Sequence, residues 1–310
     1  MAEPVYAKLA VVGCGLIGSS VVRAARKSGA AGQIAVAEAS DAARARVVEL
    51  AIADQVTADA AEAVRDADLV VFAVPVMSMG AAAQAAAPGL KAGATVSDVG
   101  SVKGAVADAL ASACPDGVFV VPGHPIAGTE QSGPDAGFAE LFQNRWTILT
   151  PQPRADEPYR QAVADLTRFW SAIGANVEEM DARHHDLVLA ITSHLPHLIA
   201  YNIVGTAADL EEVTQAEVMK YSAGGFRDFT RIAASDPTMW RDVFLTNKDA
   251  VLEVLGRFSE DLQALSRAIR WGEGDKLFEL FSRTREIRRG IVALGQESAE
   301  PNFGRDRGKH

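Results

Sequence analysis

Cysteine is nearly absent from this sequence. Its 310 residues include two, Cys14 and Cys114, too few for a disulfide framework or a four-thiolate metal centre. Aromatic residues are sparse at 6%, and positive charge is outweighed: 30 Lys+Arg face 40 Asp+Glu, a net charge of -10. Such a chain lacks the basic face that nucleic acid or an anionic membrane surface requires, so neither is expected as a partner. Uninterrupted apolar runs of about 18 residues are also missing, so no membrane span is expected. No basic segment followed by an apolar stretch and a small-residue cleavage site opens the chain, which points to the cytoplasm. What is present, 48% hydrophobic and 23% charged residues, is globular composition. The length suggests two domains of about 150 residues each.

Short apolar runs alternate with Ala-rich stretches of helical length through the first half. Strands are expected at Lys8–Gly13, Gln33–Glu38, Leu69–Val74, Thr95–Asp98, Val118–Pro122 and Thr147–Thr150, with Ala175–Met180 closing the domain. Helices are expected between them at Gly18–Ser28, Asp41–Leu50 and Ser78–Ala87. This alternation argues for βαβ units and a parallel sheet covered on both faces. Past Met180 the strand-like runs stop. A helix is expected from Ala182 to about Gly205, then two long amphipathic helices around Gly272–Asp275. Leu252, Leu255, Phe258, Leu262, Leu265 and Ile269 recur at three- and four-residue steps, one stripe of a helix. Such a stripe suits an intrachain core and a seam between subunits equally.

Gly13-Cys14-Gly15-Leu16-Ile17-Gly18 follows the first strand and opens a helix. The first glycine permits a tight turn, the second lets backbone N–H groups approach a pyrophosphate, and the third lets helix pack on strand. Glu38 ends the next strand, twenty residues past Gly18. A carboxylate there accepts from a ribose 2′-hydroxyl and repels a 2′-phosphate. No arginine adjoins Glu38, which favours NAD over NADP, although Arg44 and Arg46 leave that choice open. The expected cofactor-binding residues are Gly13, Gly15, Leu16, Ile17, Gly18 and Glu38, with Val74 and Pro75 farther on. The fold class is therefore α/β. A Rossmann-type parallel-sheet domain is assigned to residues 1–180, an all-α domain to 181–296, and a polar tail to 297–310.

His124 follows the strand Val118–Pro122, and the C-terminal ends of parallel strands face the ligand crevice. An imidazole there can take a proton from a substrate hydroxyl as hydride leaves the same carbon; a solvated loop histidine fits the position equally. Ser101, in Asp98-Val-Gly-Ser-Val-Lys103, reads as a helix cap or as a hydroxyl beside a nicotinamide. His184-His185-Asp186 and Ser193-His-Leu-Pro-His197 invite a metal. However, adjacent histidines diverge on a helix and no H-E-x-x-H spacing occurs, so polar groups lining an interdomain cleft are the favoured reading, without metal. Pro196 leaves the Thr192 carbonyl without its helical donor and should bend the helix. Between Gly224 and Ile232, Phe226, Phe229 and Ile232 are expected to face the core. Arg227 and Arg231 would then face elsewhere, as a carboxylate clamp or in an ion-pair network with Asp228 or Asp242.

Taken together, Gly13-x-Gly15-x-x-Gly18, Asp98-Val-Gly-Ser-Val-Lys103, His124-Pro-Ile-Ala-Gly-Thr-Glu130, Ser193-His-Leu-Pro-His197 and Gly224-Gly-Phe-Arg-Asp-Phe-Thr-Arg231 resemble the prephenate/arogenate (cyclohexadienyl) dehydrogenases of tyrosine biosynthesis, from about residue 8 to 250. The resemblance implies an NAD-dependent oxidative decarboxylation of prephenate, arogenate or both. It also implies a C-terminal helical dimerisation domain, hence a homodimer, with the active site between the domains. It makes His124 the catalytic residue, bonded to the ring 4-hydroxyl, with Ser101 positioning it and the nicotinamide. Arg231 would bind the ring carboxylate and His197 the substrate side chain. Thr129 and Glu130 would complete the substrate site, with Asp228 in the surrounding polar network. A chorismate mutase fusion and a regulatory domain after residue 295, found in some relatives, are not expected. The competing readings are a β-hydroxyacid dehydrogenase-like oxidoreductase, whose catalytic lysine followed four residues on by asparagine is missing here, and an NAD-binding sensor without turnover.

Overall fold

The computed structural model describes residues 3–129, 131–153, 156–211 and 224–293; the tail 297–310 lies outside them. The first half runs β1 (Tyr6–Val12), α1 (Leu16–Ser28), β2 (Ala31–Ala37), α2 (Asp41–Glu49), β3 (Gln55–Thr57), α3 (Ala60–Val64), β4 (Leu69–Phe72), α4 (Met79–Ala86), β5 (Thr95–Asp98), α5 (Gly104–Ala113) and β6 (Phe119–Val120). These six strands form one sheet in the order β3-β2-β1-β4-β5-β6, parallel throughout. The order reverses at β1, and that point places the loops after β1 and β4 around a ligand crevice.

Burial on both faces explains why these strands read as continuous apolar runs. Leu9, Val11, Ile34, Leu69 and Val71 pack on one side with Trp170 and Phe169. Ala10, Val12, Val70 and Phe72 pack on the other with Met79 and Leu110. Each fully buried Leu or Val contributes roughly 1.5–3 kcal/mol relative to exposure. The short β3 gave no apolar run to read, since its three residues are only half-buried.

The expected strand Val118–Pro122 divides in two. Phe119–Val120 stays in the parallel sheet, and the chain then turns into β7 (Gly123–Pro125), part of a second sheet with β8 (Trp146–Leu149) and β9 (Asn176–Glu179). In that sheet β7 runs antiparallel to β8, and β8 parallel to β9. The departure is anchored by Tyr159 on α6 (Glu157–Ala172), whose hydroxyl donates to the Val120 carbonyl at 3.0 Å. Gly123 lets β7 lie tight on β5: a Cβ there would meet Asp98 O, Leu149 and Ser97 at 3.2 Å.

The remainder is helical: α7 (Ala182–Leu189), α8 (Leu195–Glu211), α9 (Gly224–Thr230), α10 (Pro237–Thr246), α11 (Lys248–Arg270) and α12 (Gly274–Ala293). A π-turn, Ala190–His194, joins α7 to α8 directly before Pro196. The turn includes Thr192, whose carbonyl loses its α-helical donor to Pro196. The helical stretch Ala182–Leu210 contains an 18-residue window with a mean hydropathy of 1.5, long and apolar enough by length and composition alone to cross a membrane. Its interruption by His184, His185, Asp186 and His194 kept it from appearing as an unbroken apolar run.

Strands give way to helices near Met180, but the first compact unit continues to Leu252. Within that unit Trp240 and Val243 on α10 pack on Val102, which follows β5. The second unit, from Glu253, contains most of α11 and all of α12. The expected stripe does form one helix, yet Leu252, Leu262 and Ile269 are 62%, 48% and 67% exposed. Trp271, Phe278 and Phe281 are exposed as well. Phe229, expected to face the core, is 43% exposed. The helix α9 is a single seven-residue piece with no buried residue, too short for its apolar spacing to fix a buried face.

Candidate active site

The glycine loop has the shape a dinucleotide needs. Gly13 sits at φ +91°, and a Cβ on it would lie 2.6 Å from the Ala73 carbonyl oxygen. A Cβ on Gly18 would lie 2.1 Å from Gly13 O, whereas one on Gly15 would meet nothing within 4 Å. Two glycines are thus required by packing, and the third leaves open space at the start of α1. That helix has no side-chain cap and no acidic residue in its first turn, so its N–H groups and dipole face the crevice. Glu38, just past β2, is half-buried. Its carboxylate accepts from Cys14 N at 2.8 Å and Ser40 N at 2.9 Å, which holds it against the loop. Arg44 donates to the Glu38 carbonyl and pairs with Asp41. Arg46 is occupied by Asp135 and Glu49. Val74 and Pro75 follow β4, with Val74 Cγ1 within 2.8 Å of where a Gly13 Cβ would lie. The open space at Gly15, the uncapped start of α1 and the Glu38 carboxylate beside the loop fit the pyrophosphate and ribose of NAD.

At the C-terminal end of β5 lies a fully buried ion pair. Asp98 accepts from Lys103 Nζ, from Gly100 N at 2.7 Å and from Gly123 N at 3.1 Å. Lys103 Nζ also donates to the Gly123 carbonyl at 2.6 Å. Burial pushes the Asp98 pKa up and the Lys103 pKa down, and their mutual contact opposes both shifts. The pair staples the loop after β5 to β7. In the sequence, Asp98 and Lys103 flank Ser101 without a role of their own. The available signal was two opposite charges five residues apart flanking a glycine turn at an apolar strand end.

That staple sets the position of His124, the middle residue of β7 rather than a loop residue, and 8% exposed. Its Nδ1 lies 2.9 Å from His185 Nε2, and His185 Nδ1 lies 2.9 Å from Asp186 Oδ1. Asp186 also accepts from Lys103 N at 2.7 Å and Gly104 N at 2.9 Å, and so caps α5 from outside. Burial holds the His124 pKa well below its ordinary value, aided by His185, Lys103 and His194. Burial lowers His185 as well. For Asp186 burial acts upward, but the His185 ring and the two backbone donors outweigh it and hold the carboxyl below the usual range.

The π-turn carries the next wall. His194 is fully buried, its pKa lowered to about 4 by burial. Its Nδ1 lies 3.1 Å from Asn247 Nδ2, a group that also donates to the Asp186 carbonyl at 2.9 Å. Asn247 therefore ties the end of α10 to α7, a role no motif announced. His197 stacks on Trp240 with ring centroids 3.6 Å apart, and its Nδ1 donates to the Ser193 carbonyl at 2.9 Å. This leaves Nε2 as its acceptor. Trp240 Nε1 is buried without a hydrogen-bond partner, a donor suited to a ligand. Ser101 is half-buried on the loop between Asp98 and Lys103, and its backbone acts on His194.

The structure thus gathers His124, His185, Asp186, Lys103 and His194, with His197 beside His194 on Trp240. Arg231 is exposed at the head of the 3-10 turn Arg231–Ala234, and Arg227 and Asp228 are exposed on α9. Thr129 is half-buried and accepts from Gln131 N. Glu130 lies outside the described residues.

A glycine-cradled dinucleotide site at the C-terminal edge of the parallel sheet and a buried histidine on β7, which packs against the end of β5, define an NAD-dependent dehydrogenase. The family models narrow this: "prephenate dehydrogenase, nucleotide-binding domain" matches residues 21–179 and "prephenate dehydrogenase, dimerization domain" matches residues 181–283. The chain belongs to the prephenate dehydrogenase family. It is 45% identical to the cyclohexadienyl dehydrogenase of Zymomonas mobilis, over 92% of this chain and 96% of that protein. Prephenate dehydrogenase from Aquifex aeolicus, solved in complex with hydroxyphenyl propionate and NAD+, superposes with a TM-score of 0.85 at 33% identity, covering 94% of this chain and 99% of that one. Synechocystis arogenate dehydrogenase gives 0.77 at 25% identity over 92% and 99%.

Proposed function

We propose that this chain oxidises and decarboxylates prephenate, arogenate or both, as a cytoplasmic enzyme of tyrosine biosynthesis that prefers NAD+ to NADP+. The observation that carries the reading is His124, buried in β7 with Nδ1 occupied by His185 and Nε2 left as the free ring nitrogen. Bound NAD+ supplies the hydride acceptor. His124 takes the proton of the ring hydroxyl at Nε2 while its burial keeps it unprotonated beforehand. Ser101 orients that hydroxyl and the nicotinamide, and Arg231 binds the ring carboxylate that leaves as CO2. His197 meets the substrate side chain through Nε2, and Thr129 and Glu130 complete the substrate site. Gly13, Gly15, Leu16, Ile17, Gly18, Glu38, Val74 and Pro75 hold the dinucleotide. Occupation of Arg44 and Arg46 by acidic neighbours supports the preference for NAD+, because neither is free for a 2′-phosphate.

The division into a nucleotide domain over 1–180 and a helical domain over 181–296 belongs to this reading, as does a homodimer through the helical part. The exposed Leu262, Ile269, Trp271, Phe278 and Phe281 support the dimer, since apolar rows of this kind are covered in a stable assembly. The test is NADH formation with prephenate and with arogenate, each crossed with NAD+ and NADP+. Turnover of neither substrate with either cofactor would end the proposal.

A further inference from the structure

We propose that His185 and Asp186 are positioning residues that set the tautomer of His124 and share the charge it acquires. The inference rests on the reading of His124 as the base. Asp186 receives two backbone N–H groups, from Lys103 at 2.7 Å and Gly104 at 2.9 Å, at the start of a ten-residue helix. Those donors and the helix N-terminus keep it ionised. An ionised carboxylate only accepts, so the 2.9 Å contact with His185 Nδ1 requires the proton on that nitrogen. Neutral His185 then has its lone pair at Nε2, and the 2.9 Å contact with His124 Nδ1 requires a proton on His124 Nδ1. One lone pair remains on the His124 ring, at Nε2.

The relay therefore delivers the base in the form that can accept a proton from a hydroxyl. When the substrate O–H bond breaks and an N–H bond forms at His124 Nε2, the imidazolium is created inside the protein. Burial, a charge on His185, Lys103 and His194 all depress protonation of His124, so His185 serves this charge only as the neutral ring that accepts from His124 Nδ1 and donates to Asp186. Asp186 is the anion that opposes them through His185, while the Asp98 carboxylate is occupied by Lys103. His185 is fully buried and acts through His124. Asn247 holds the backbone of Asp186, which fixes the geometry from the α10 side.

Two measurements decide the matter. Nitrogen-15 NMR of the histidine-labelled protein reads the tautomers with no substitution and no turnover. Protonated Nδ1 on both His124 and His185 is expected, and protonated Nε2 on neutral His124 would overturn the relay whether or not the enzyme acts on prephenate. For function, Asp186→Asn removes the anion whichever way its amide turns, and His185→Phe removes the acceptor. Each should lower kcat by about 10²–10⁴-fold, the scale seen when a base loses its orienting partner, with KM for NAD+ unchanged. In Asp186→Asn the acid limb of the kcat/KM profile should move to lower pH, because the anion that favours protonation is gone. Full kcat in both variants, or an unmoved acid limb, would refute the charge-sharing role. If the unaltered protein turns over neither substrate, the activity reading fails by itself, and the NMR result still judges the tautomer.

Discussion

Replacement of Lys103 by Met tests how the site is built. Lys103 and Asp98 are both fully buried, with side chains 0% exposed. The methionine fills similar space but leaves Asp98 with two backbone donors, Gly100 N and Gly123 N, and no countercharge. Breaking a buried pair in this way costs about 3–5 kcal/mol. At ~2–4 °C per kcal/mol for a unit of this size, the melting point should fall by roughly 6–20 °C. The loss should depend on pH with a definite sign. Burial already raises the Asp98 pKa while Lys103 opposes the rise, so removing Lys103 raises it further. A folded state that holds a proton more tightly than the unfolded chain keeps that stability at acid pH and loses it as pH rises through the folded-state pKa. The deficit relative to the unaltered protein should be smallest near about pH 4, the unfolded value, and full at neutrality. Calorimetry across this range provides the measurement. A deficit under about 1 kcal/mol, the level of an exposed pair, or one constant with pH would refute the argument.

Glu38→Ala removes a carboxylate held by Cys14 N and Ser40 N; KM for NAD+ should rise about tenfold, the worth of one charge-assisted bond of ~1.4 kcal/mol, and discrimination against NADP+ should narrow in the same assay. Burial lowers the pKa of His124, His185 and His194, so the unfolded chain binds protons that the folded one refuses. Stability should therefore be complete above the unfolded histidine pKa of about 6.5 and fall as pH drops below it; a denaturation midpoint flat over that window would contradict the buried, neutral histidines. Phe278→Arg with Phe281→Arg places charge in the exposed apolar row and should convert a dimer to monomer in light scattering, while an unchanged mass would move the interface elsewhere.

Much of this was legible in the sequence because the glycine spacing, Glu38 and the parallel strands are local patterns with fixed physical meaning. His124 was legible as a residue but not as a member of a strand, since β6 and β7 are separated by two residues and nothing local marks the change of sheet. Asp98, Lys103 and Asn247 were hidden for another reason: their roles depend on contacts 5, 20, 25, 53 and 61 residues away in the chain. His185 and Asp186 stood out as polar groups, but their direction, one ring to the next, exists only once α7 is packed on the start of α5. The stripe on α11 fixed a helix and left its partner open, and in the single chain much of it still faces solvent.

His124 is proposed as the base of an NAD-dependent oxidative decarboxylation. That role is tested most directly by single-turnover NADH formation with prephenate and arogenate in the unaltered protein and in His124→Asn. NADH is expected with at least one substrate, with a fall of about two to four orders of magnitude in the variant and NAD+ binding intact. Near-normal turnover by His124→Asn would contradict it.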